Sequence, residues 1–502
     1  MTYPKSLSEK IRRRLVITAA CLILPFPMGC MVGPDFQRPA APNVQNFADQ
    51  PAEMPNQRLA AGQDIPAEWW TLFRSEKLKR LIEKAFARSP DLESAQAALT
   101  QAKESLFAQE GSLMPALDIS GMGKRLSLNS GMFGDPNGNG GIMMAMYNAS
   151  LNLSYTIDTF GALRRQLEDL GAQVDYQRFQ WEAAYLNLAS NIAAAAIGEA
   201  SLREQIGILQ DVAVSQEQSL EILNQQWRLG ATTWSAVLSQ ESALNQARAD
   251  LVTLRQQLAQ TRHRIAMLAG QLPGEALTEE FTLADLQLPE EIPLSLPSKL
   301  VEQRPDIRSA EALLHSASAQ VGVATAKRFP DLTINASIGS FATKAGMLFT
   351  PASEIWSQGF NLAQPLLQWG KLSHGLDAAK AAFAEAQAKY RSTVLQAFQN
   401  VADVMKALEA DHQVLTVQQN ASRIAAENLA LSNAQIQAGA LSYLNLLDAQ
   451  RNYQQARVGL AKAQAARLSD SAALLQALGG GWWNRPPDTS DSGDAAAENA
   501  ER

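Results

Sequence analysis

Cysteine is almost absent from this 502-residue chain, which contains two, Cys21 and Cys30. Cys21 lies in an N-terminal segment with the pattern of an export signal, a basic stretch followed by the apolar run from Leu15 to Phe26. That run is too short to cross a bilayer as a mature helix. We therefore predict a signal peptide over residues 1–29 and a mature chain that has no internal disulfide and works outside the cytoplasm.

Cys30 follows Gly29 and a run of apolar residues, an arrangement similar to a bacterial lipobox except at Pro27. A thiol at the first residue of a mature chain indicates lipidation, for example by palmitate, and ordinary cleavage beside an incidental cysteine is the alternative. We predict lipidation at Cys30. Because one acyl chain anchors a protein weakly, we also expect a second attachment to the membrane.

Histidine is scarce, and beyond the N-terminal segment basic charge is not gathered on one stripe. The four histidines, His263, His315, His374 and His412, lie in separate segments without the spacing of metal ligands, so we predict no metal site. The 43 Lys and Arg residues are dispersed among 50 acidic ones, which is typical of solvated helix faces and argues against a nucleic-acid partner. No nucleophile stands out, and we predict neither an enzyme nor a bound cofactor.

The chain repeats itself over most of its length. Pro90-Asp91-Leu92 returns 215 residues later as Pro305-Asp306-Ile307, and Gly230 returns 209 residues later as Gly439. A tandem duplication of this length predicts two halves of similar structure.

Each half contains segments with the alternation of a β-strand that has one apolar side. From Tyr147 to Ile157 apolar residues alternate with Asn, Ser and Thr, and Leu332 to Ile338 repeats the pattern. Shorter versions begin at Leu117 and Phe360. A soluble sandwich alternates in the same way, but the long loops between the paired strands favour transmembrane hairpins.

Four strands are too few to close a membrane barrel within one chain, so the barrel must be shared between subunits. Two chains would supply about eight strands and three about twelve, and an eight-stranded barrel would be filled by side chains. An open pore therefore favours three or more chains.

The rest of each half is predicted to be helical and unusually long. Arg164 to Leu229 is free of proline and would extend roughly 100 Å as a straight helix, and Lys371 to Ala438 is its counterpart. After Gly230 or Gly439 a second helical run returns. Apolar residues at coiled-coil spacing predict that these helices pack side by side, with both glycine turns at the end farthest from the strands.

Several short segments together carry a resemblance to a known family. They are Gly29 to Phe36 with Arg38-Pro39, Trp69-Trp70 with Phe73, Arg304 to Arg308, Phe329-Pro330, and Tyr443 to Arg451 after Gly439. With these segments the chain resembles the outer-membrane factor family, the TolC-like exit ducts of bacterial efflux and secretion machines. The similarity extends from Cys30 to about Trp482, and it is specifically to the lipidated branch that serves resistance-nodulation-division pumps.

The resemblance implies a mixed α/β membrane protein in the outer membrane, lipid-anchored and with a large periplasmic portion. It implies a long antiparallel coiled-coil α-barrel plus a transmembrane β-barrel shared between three subunits of a homotrimer. The expected function is the passive exit duct of a tripartite efflux pump, with outer-membrane lipid, a periplasmic adaptor (membrane fusion) protein and an inner-membrane resistance-nodulation-division pump as partners. The alternatives are a channel for type I protein secretion and a periplasmic lipoprotein scaffold without a pore.

The resemblance also implies functional residues near the glycine turns. Leu444 and Asp448 match the periplasmic gate of the family, and four-residue spacing puts them on one helical face. The predicted contacts with the adaptor are Arg228, Gly230, Gly439 and Tyr443. Relatives often carry Tyr and Arg just before the second turn, where this chain has Ile436 and Gln437.

The predicted domain map has six parts. It comprises the signal peptide (1–29), a lipid-anchored extended arm (30–66), repeat 1 (67–271, hairpin about 115–158), a linker or equatorial region (272–300), repeat 2 (301–482, hairpin about 331–367) and an acidic disordered tail (483–502).

Overall fold

A computed structural model describes residues 31–44, 46–47, 57–129, 141–275 and 279–486. The predicted signal peptide, Cys30 and residues 487–502 of the predicted tail lie outside these ranges. The chain divides into two compact units. Unit 1 contains residues up to 37, 102–174 and 313–387, and unit 2 contains 38–101, 175–312 and the rest of the chain from 388.

Long helices follow the glycine-bounded segments of the sequence, and the same pattern occurs twice. Within the described ranges the helices are α1 Glu76–Phe86, α2 Pro90–Glu110, α3 Ala162–Arg228, α4 Trp234–Leu268, α5 Pro297–Gln303, α6 Pro305–Ala326, α7 Lys371–Gln437 and α8 Tyr443–Ala477. Helices α3 and α7 have 67 residues each, and α4 and α8 have 35 each. The predicted long helices are confirmed to within two residues at each end.

Unit 1 contains a four-stranded antiparallel sheet in the order β2-β3-β5-β6. Its strands are β2 Ala116–Asn129, β3 Gly141–Ile157, β5 Asp331–Ala342 and β6 Glu354–Ala363. The predicted alternation from Tyr147 to Ile157 is therefore the second part of a 17-residue strand. Strands β2 and β6 are the two edges of this sheet.

The two faces of the sheet differ in polarity. Asn152 lies opposite both Asp118 and Ser337, and its side chain bonds Ser120 Oγ at 3.0 Å and Ser337 Oγ at 2.9 Å. Leu151, on the other face, lies opposite Ile119 and Ile338. Because directly paired residues share a face, the register gives one polar and one apolar side, as the alternation predicts.

The apolar face of the sheet is exposed to an unusual degree. Ile119 is 86% exposed and Phe360 is 75% exposed, and every residue of β6 is in the exposed class. A single soluble chain does not ordinarily leave so continuous an apolar surface uncovered. Among the described helices none is long and apolar enough to span a bilayer.

The core of unit 2 forms around aromatic residues that precede α1. Trp69 and Phe73 are buried, and their rings meet edge to face with centroids 6.4 Å apart. A two-stranded parallel sheet joins β1 Arg58–Ala61 to β4 Glu291–Leu294 in the same unit. The segment predicted as a linker (272–300) thus contributes strand β4. Helix α5 continues past residue 300, where the linker was predicted to end.

The predicted start of the disordered tail, residue 483, is wrong by at least three residues. Trp483 Nε1 donates to Asp64 Oδ1 at 2.9 Å, and Asn484 Nδ2 donates to the Ile65 carbonyl oxygen at 2.8 Å. The Arg485 guanidinium lies 3.7 Å from the centroid of the Tyr185 ring. These contacts order the chain beyond Trp482 because its side chains pack on unit 2.

Candidate functional site

The two turns that reverse the long helices have the same construction. Turn 1 is residues 229–233 between α3 and α4, and turn 2 is residues 438–442 between α7 and α8. Gly230 has φ +73° and Gly439 has φ +72°, the left-handed conformation that ends many helices. In turn 1 the Ala231 N–H donates to the Gln226 carbonyl oxygen at 2.8 Å.

Turn 2 repeats this hydrogen bond, from the Ala440 N–H to the Gln435 carbonyl oxygen, also at 2.8 Å. A bond between these positions satisfies a helix-terminal carbonyl group that would otherwise lack a donor. The turns differ at the start of the returning helix, since Thr233 Oγ1 accepts from the Ala236 N–H and Ser442 makes no such side-chain bond. Both predicted glycines therefore act as helix C-caps.

Turn 1 presents an apolar surface that includes one residue the sequence interpretation missed. The rings of Trp227 and Trp234 lie on either side of the turn with centroids 4.7 Å apart. Leu229 at the turn itself is 83% exposed, and Arg228 beside it is also exposed. The sequence did contain an indication of this residue, because Trp234 follows the turn glycine and lies across the turn from Trp227.

Tyr443, predicted to contact the adaptor, is partly buried. Burial raises the pKa of Tyr443, and the Ser219 hydroxyl of α3 opposes that shift. Tyr443 therefore packs the first turn of α8 toward α3.

The two predicted gate residues lie on one exposed face of α8. Leu444 is 57% exposed, and the Asp448 side chain is 69% exposed, whereas Leu446 and Leu447 between them are buried. The sequence interpretation missed Arg451, whose Nη1 lies 3.8 Å from Asp448 Oδ1. An ion pair this exposed contributes little free energy, but it places a positive charge one turn away from the carboxylate.

The arm that follows Cys30 is fixed in unit 1 by a buried arginine. Arg165 at the start of α3 is 1% exposed. Its guanidinium donates to the carbonyl oxygens of Val32 at 3.2 Å and Gly33 at 3.4 Å. The same group pairs with Asp35 at 2.7 Å and Glu168 at 2.6 Å.

A second layer of contacts holds the same arm. The Phe36 ring stacks on His315 of α6 with centroids 4.3 Å apart, and His315 Nε2 lies 2.9 Å from Glu168 Oε1. The Val32 N–H donates to the Phe160 carbonyl oxygen at 3.2 Å. The arm is thus bound through its backbone and side chains immediately after the predicted lipidation site.

The construction of two helical hairpins and two strand pairs matches a known family model. The model, described as outer membrane efflux protein, matches residues 81–271 and 296–480. The chain belongs to this family. The two matched segments correspond to the two repeats, so the duplication is a property of the family fold.

Curated relatives of this outer membrane efflux protein span nearly its whole length. It is 31% identical over 480 residues to the pyoverdine export outer membrane protein OpmQ of Pseudomonas aeruginosa, covering 94% of this chain and 97% of OpmQ. It is 27% identical over 469 residues to the cation efflux system protein CusC of Escherichia coli, covering 92% and 99%.

Solved structures have the same fold. The outer-membrane channel OprN superposes with a TM-score of 0.82 at 25% identity, over 90% of this chain and all of OprN. The open state of the MtrE outer membrane channel of Neisseria gonorrhoeae superposes with a TM-score of 0.79 at 26% identity, over 90% and 99%. This outer membrane efflux protein is therefore an exit-duct subunit in the outer membrane, with a large periplasmic portion. The alternative of a scaffold without a pore is wrong.

Proposed function

We propose that three copies of this chain close a twelve-stranded barrel, through which substrates leave passively. The support is the open sheet of unit 1, whose edge strands β2 and β6 each have only one neighbouring strand in the described part of the chain. In lipid, unpaired strand edges must be satisfied by further strands. The apolar face that includes Ile119 and Phe360 would contact lipid, and the face that includes Asn152 would line the pore.

The number of subunits and the pore are tested together on the purified full-length protein. The detergent-corrected mass should correspond to three chains, and single-channel recording in planar bilayers should give discrete conductance steps. A monomer, or a trimer without conductance, would refute this proposal while leaving the family assignment intact.

We infer that turn 1 is a main contact for the periplasmic adaptor protein, which links the channel to an inner-membrane resistance-nodulation-division pump. Trp227, Arg228, Leu229 and Trp234 support this inference, because exposed tryptophan and arginine side chains are enriched where proteins bind one another. Gly230, Gly439 and Tyr443 shape the turns and their packing. Transport energy then comes from the pump, and the channel needs no catalytic group or cofactor.

The adaptor contact is tested by truncation of exposed apolar side chains. Leu229→Ala and Trp234→Ala should each reduce co-purification with the cognate adaptor and raise the susceptibility of cells to exported compounds. Val252→Ala is the matched control, since Val252 of α4 is 67% exposed and lies away from the turn. Equal effects at Leu229 and Val252 would contradict the assignment.

Leu444 and Asp448 are proposed to form the periplasmic gate, as apolar and acidic rings in the trimer. Three carboxylates at a constriction attract cations, and Arg451 reduces that field. Asp448→Asn should therefore lower the cation over anion permeability ratio, and Arg451→Gln should raise it. If Asp448 faces the outside of the duct, neither substitution will change selectivity.

The choice of exported substrate is proposed to lie with the pump and not with this channel. Relatives are named for cations, pyoverdine and toluene, which share no chemistry that one pocket could recognise. A wide duct that the pump fills needs no specific site.

Lipidation at Cys30 is also proposed, and the fixed arm of Val32 to Asp35 supports it by holding the chain next to that residue. Mass spectrometry of the mature N-terminal peptide, with a Cys30→Ser control, tests it.

A further inference from the structure

Two basic side chains lie at one end of the four-stranded sheet of unit 1. Arg125 belongs to β2, and Lys344 follows the end of β5. Both are exposed, and among the described residues neither has a carboxylate partner. Their place in the sheet decides which anionic partner can reach them.

Connectivity shows which end of the sheet this is. Strand β2 begins shortly after α2 ends at Glu110, and β3 ends shortly before α3 begins at Ala162. The helices belong to the periplasmic portion, so the strand ends that join them lie on the periplasmic side. Arg125 and Lys344 lie toward the opposite ends of their strands. They are therefore on the side of the outer membrane surface.

The register places Arg125 on the face of the sheet that is assigned to lipid. Arg125 lies directly opposite Ala145 of β3, and the two strands pair one to one along their whole length. Ile119 of the apolar face lies an even number of residues before Arg125, and such residues share a face. The neighbouring Lys124 belongs to the other face, the polar one that includes Asn152.

Two tyrosines on the apolar face mark the depth of Arg125 in the membrane. Tyr147 and Tyr155 of β3 both share a face with Leu151. They are about 27 Å apart along the strand, which is roughly 20 Å of depth at the usual tilt. Aromatic residues flank an apolar band of about 25 Å in such barrels. Ala145, opposite Arg125, lies farther out than Tyr147, so Arg125 is at the level of the outer headgroups.

The two cations stand on either side of β3, just beyond Tyr147. A carbon added at Gly123 would lie 3.5 Å from the Tyr147 ring, so the ring rests near the β2 backbone next to Arg125. On β5, Tyr147 lies opposite Ala342. Lys344 continues the chain outward from there in an extended conformation, with φ −129° and ψ 134°.

An anionic headgroup is the partner that fits a cation at this depth. Charged residues on the lipid face are unfavourable at the midplane of a barrel and are tolerated near its interfaces. There, long basic side chains extend into the headgroup layer and attract anionic lipid. Residues 123–127 and 143–147, which surround Arg125, include no acidic residue. This part of the rim is therefore positive, although the chain as a whole has a net charge of −7.

We propose that Arg125 and Lys344 bind phosphate groups of the glycolipid in the outer leaflet of the outer membrane. The inference rests on the proposed barrel, because it requires the apolar face of the sheet to contact lipid. It goes further by naming the side chains and the lipid group that meet at the outer rim. Such contacts fix the depth at which the barrel lies in the membrane.

Glu354 is the competing partner for Arg125. It lies at the outer end of β6, opposite Ser340, which shares the apolar face with Ile338. In the proposed trimer, β6 of one copy lies beside β2 of the next, so Glu354 of a neighbouring copy is the alternative to lipid. One carboxylate per copy cannot neutralise both cations, whereas a glycolipid with two phosphates can.

Native mass spectrometry of the purified full-length protein with added lipid A tests the proposal. The wild type should bind diphosphoryl lipid A more tightly than monophosphoryl lipid A. Arg125→Gln should weaken the binding of diphosphoryl lipid A about fivefold, and Arg125→Gln with Lys344→Gln about twenty-fivefold, because each basic side chain near an anionic surface contributes a similar factor. The double variant should also lose the preference for the second phosphate.

Lys124→Gln is the matched control, because it removes a positive charge from the next residue of the same strand but from the polar face. It should leave the affinity for lipid A unchanged, and so should Glu354→Gln. Equal losses in Lys124→Gln and Arg125→Gln, or a wild type without preference for the second phosphate, would overturn the proposal. It is also wrong if Arg125→Gln and Glu354→Gln lower the melting temperature of the trimer equally and leave lipid binding intact.

Mass and conductance measured on the same preparations separate this inference from the proposed function. A conducting trimer that shows no phosphate-dependent binding of lipid A would refute the lipid site alone. A monomer that does not conduct would refute the barrel, and the lipid site with it.

Discussion

Replacement of Arg165 by methionine should release the N-terminal arm from unit 1. Methionine fills much of the same volume but removes every hydrogen bond of the buried guanidinium. Glu168 would keep its contact with His315 at 2.9 Å, so its carboxylate would not be left without a partner. The loss therefore falls mainly on the arm.

The magnitude follows from the three contacts that Arg165 makes with the arm. The Asp35 side chain is 84% exposed, so its ion pair contributes at most about 1 kcal/mol. The bonds to the Val32 and Gly33 carbonyl oxygens have a charged donor but are long, at 3.2 and 3.4 Å, and we assign about 1 kcal/mol to each. With Asp35 included, the arm loses about 3 kcal/mol, which is roughly a hundredfold change in its opening equilibrium.

The Val32 amide is the natural reporter, because it donates to the Phe160 carbonyl oxygen. Its exchange rate, followed by mass spectrometry of a peptide that starts at Cys30 or earlier, should rise about a hundredfold in Arg165→Met. Asp35→Asn should raise it no more than about fivefold.

Arg164→Met is the control, since the neighbouring guanidinium pairs with Asp158. It should leave the exchange of the Val32 amide within a few-fold of wild type. The reasoning is refuted if Arg165→Met leaves the rate unchanged, or if Asp35→Asn has as large an effect.

Four other substitutions have effects that chemical denaturation of the detergent-solubilised protein can measure. Gly439→Ala should lower the free energy of unfolding by about 1 kcal/mol. No atom lies within 4 Å of the added carbon, so the loss comes from the strain of alanine at positive φ. Gly171→Ala inside α3 should instead raise the free energy of unfolding slightly, because alanine favours the helix more than glycine does. Glu199→Gln should lower the free energy of unfolding by about 3 kcal/mol, because Arg203 and Arg262 lose a buried carboxylate partner. An unchanged free energy of unfolding would show that their second partner, Glu280, is enough to compensate both arginines. Leu474→Ala should cost about 2–5 kcal/mol, because Leu474 is fully buried, and a smaller loss would indicate that the site collapses around the cavity.

The elements of this fold were predictable because they are long and strongly periodic. The alternation from Tyr147 to Ile157 and the proline-free segment from Arg164 to Leu229 each specify one kind of structure. The glycines at 230 and 439 mark the turns because a left-handed residue suits the end of a helix. The repeat doubled each of these signals.

The charged contacts were not predictable, because a charge pattern does not show which helix faces meet. Charged residues in general were interpreted as solvated helix faces, but Arg165 and Glu199 are buried in ion-paired clusters. Their burial depends on how neighbouring helices are placed relative to one another, which period and propensity do not specify. The order of Trp483 to Arg485 was missed because it depends on aromatic residues far away in the sequence.

The backbone of the arm at Gly33 touches the backbone of α6 at Gly322. A carbon atom added at Gly33, where φ is +99°, would lie 2.5 Å from the Gly322 Cα. Neither residue leaves room for a side chain, so the position where the arm meets the helix is specified to within an atom's width. A fusion that replaces the N-terminal segment should therefore leave Gly33 unchanged, because any side chain at this position would push the arm away from α6.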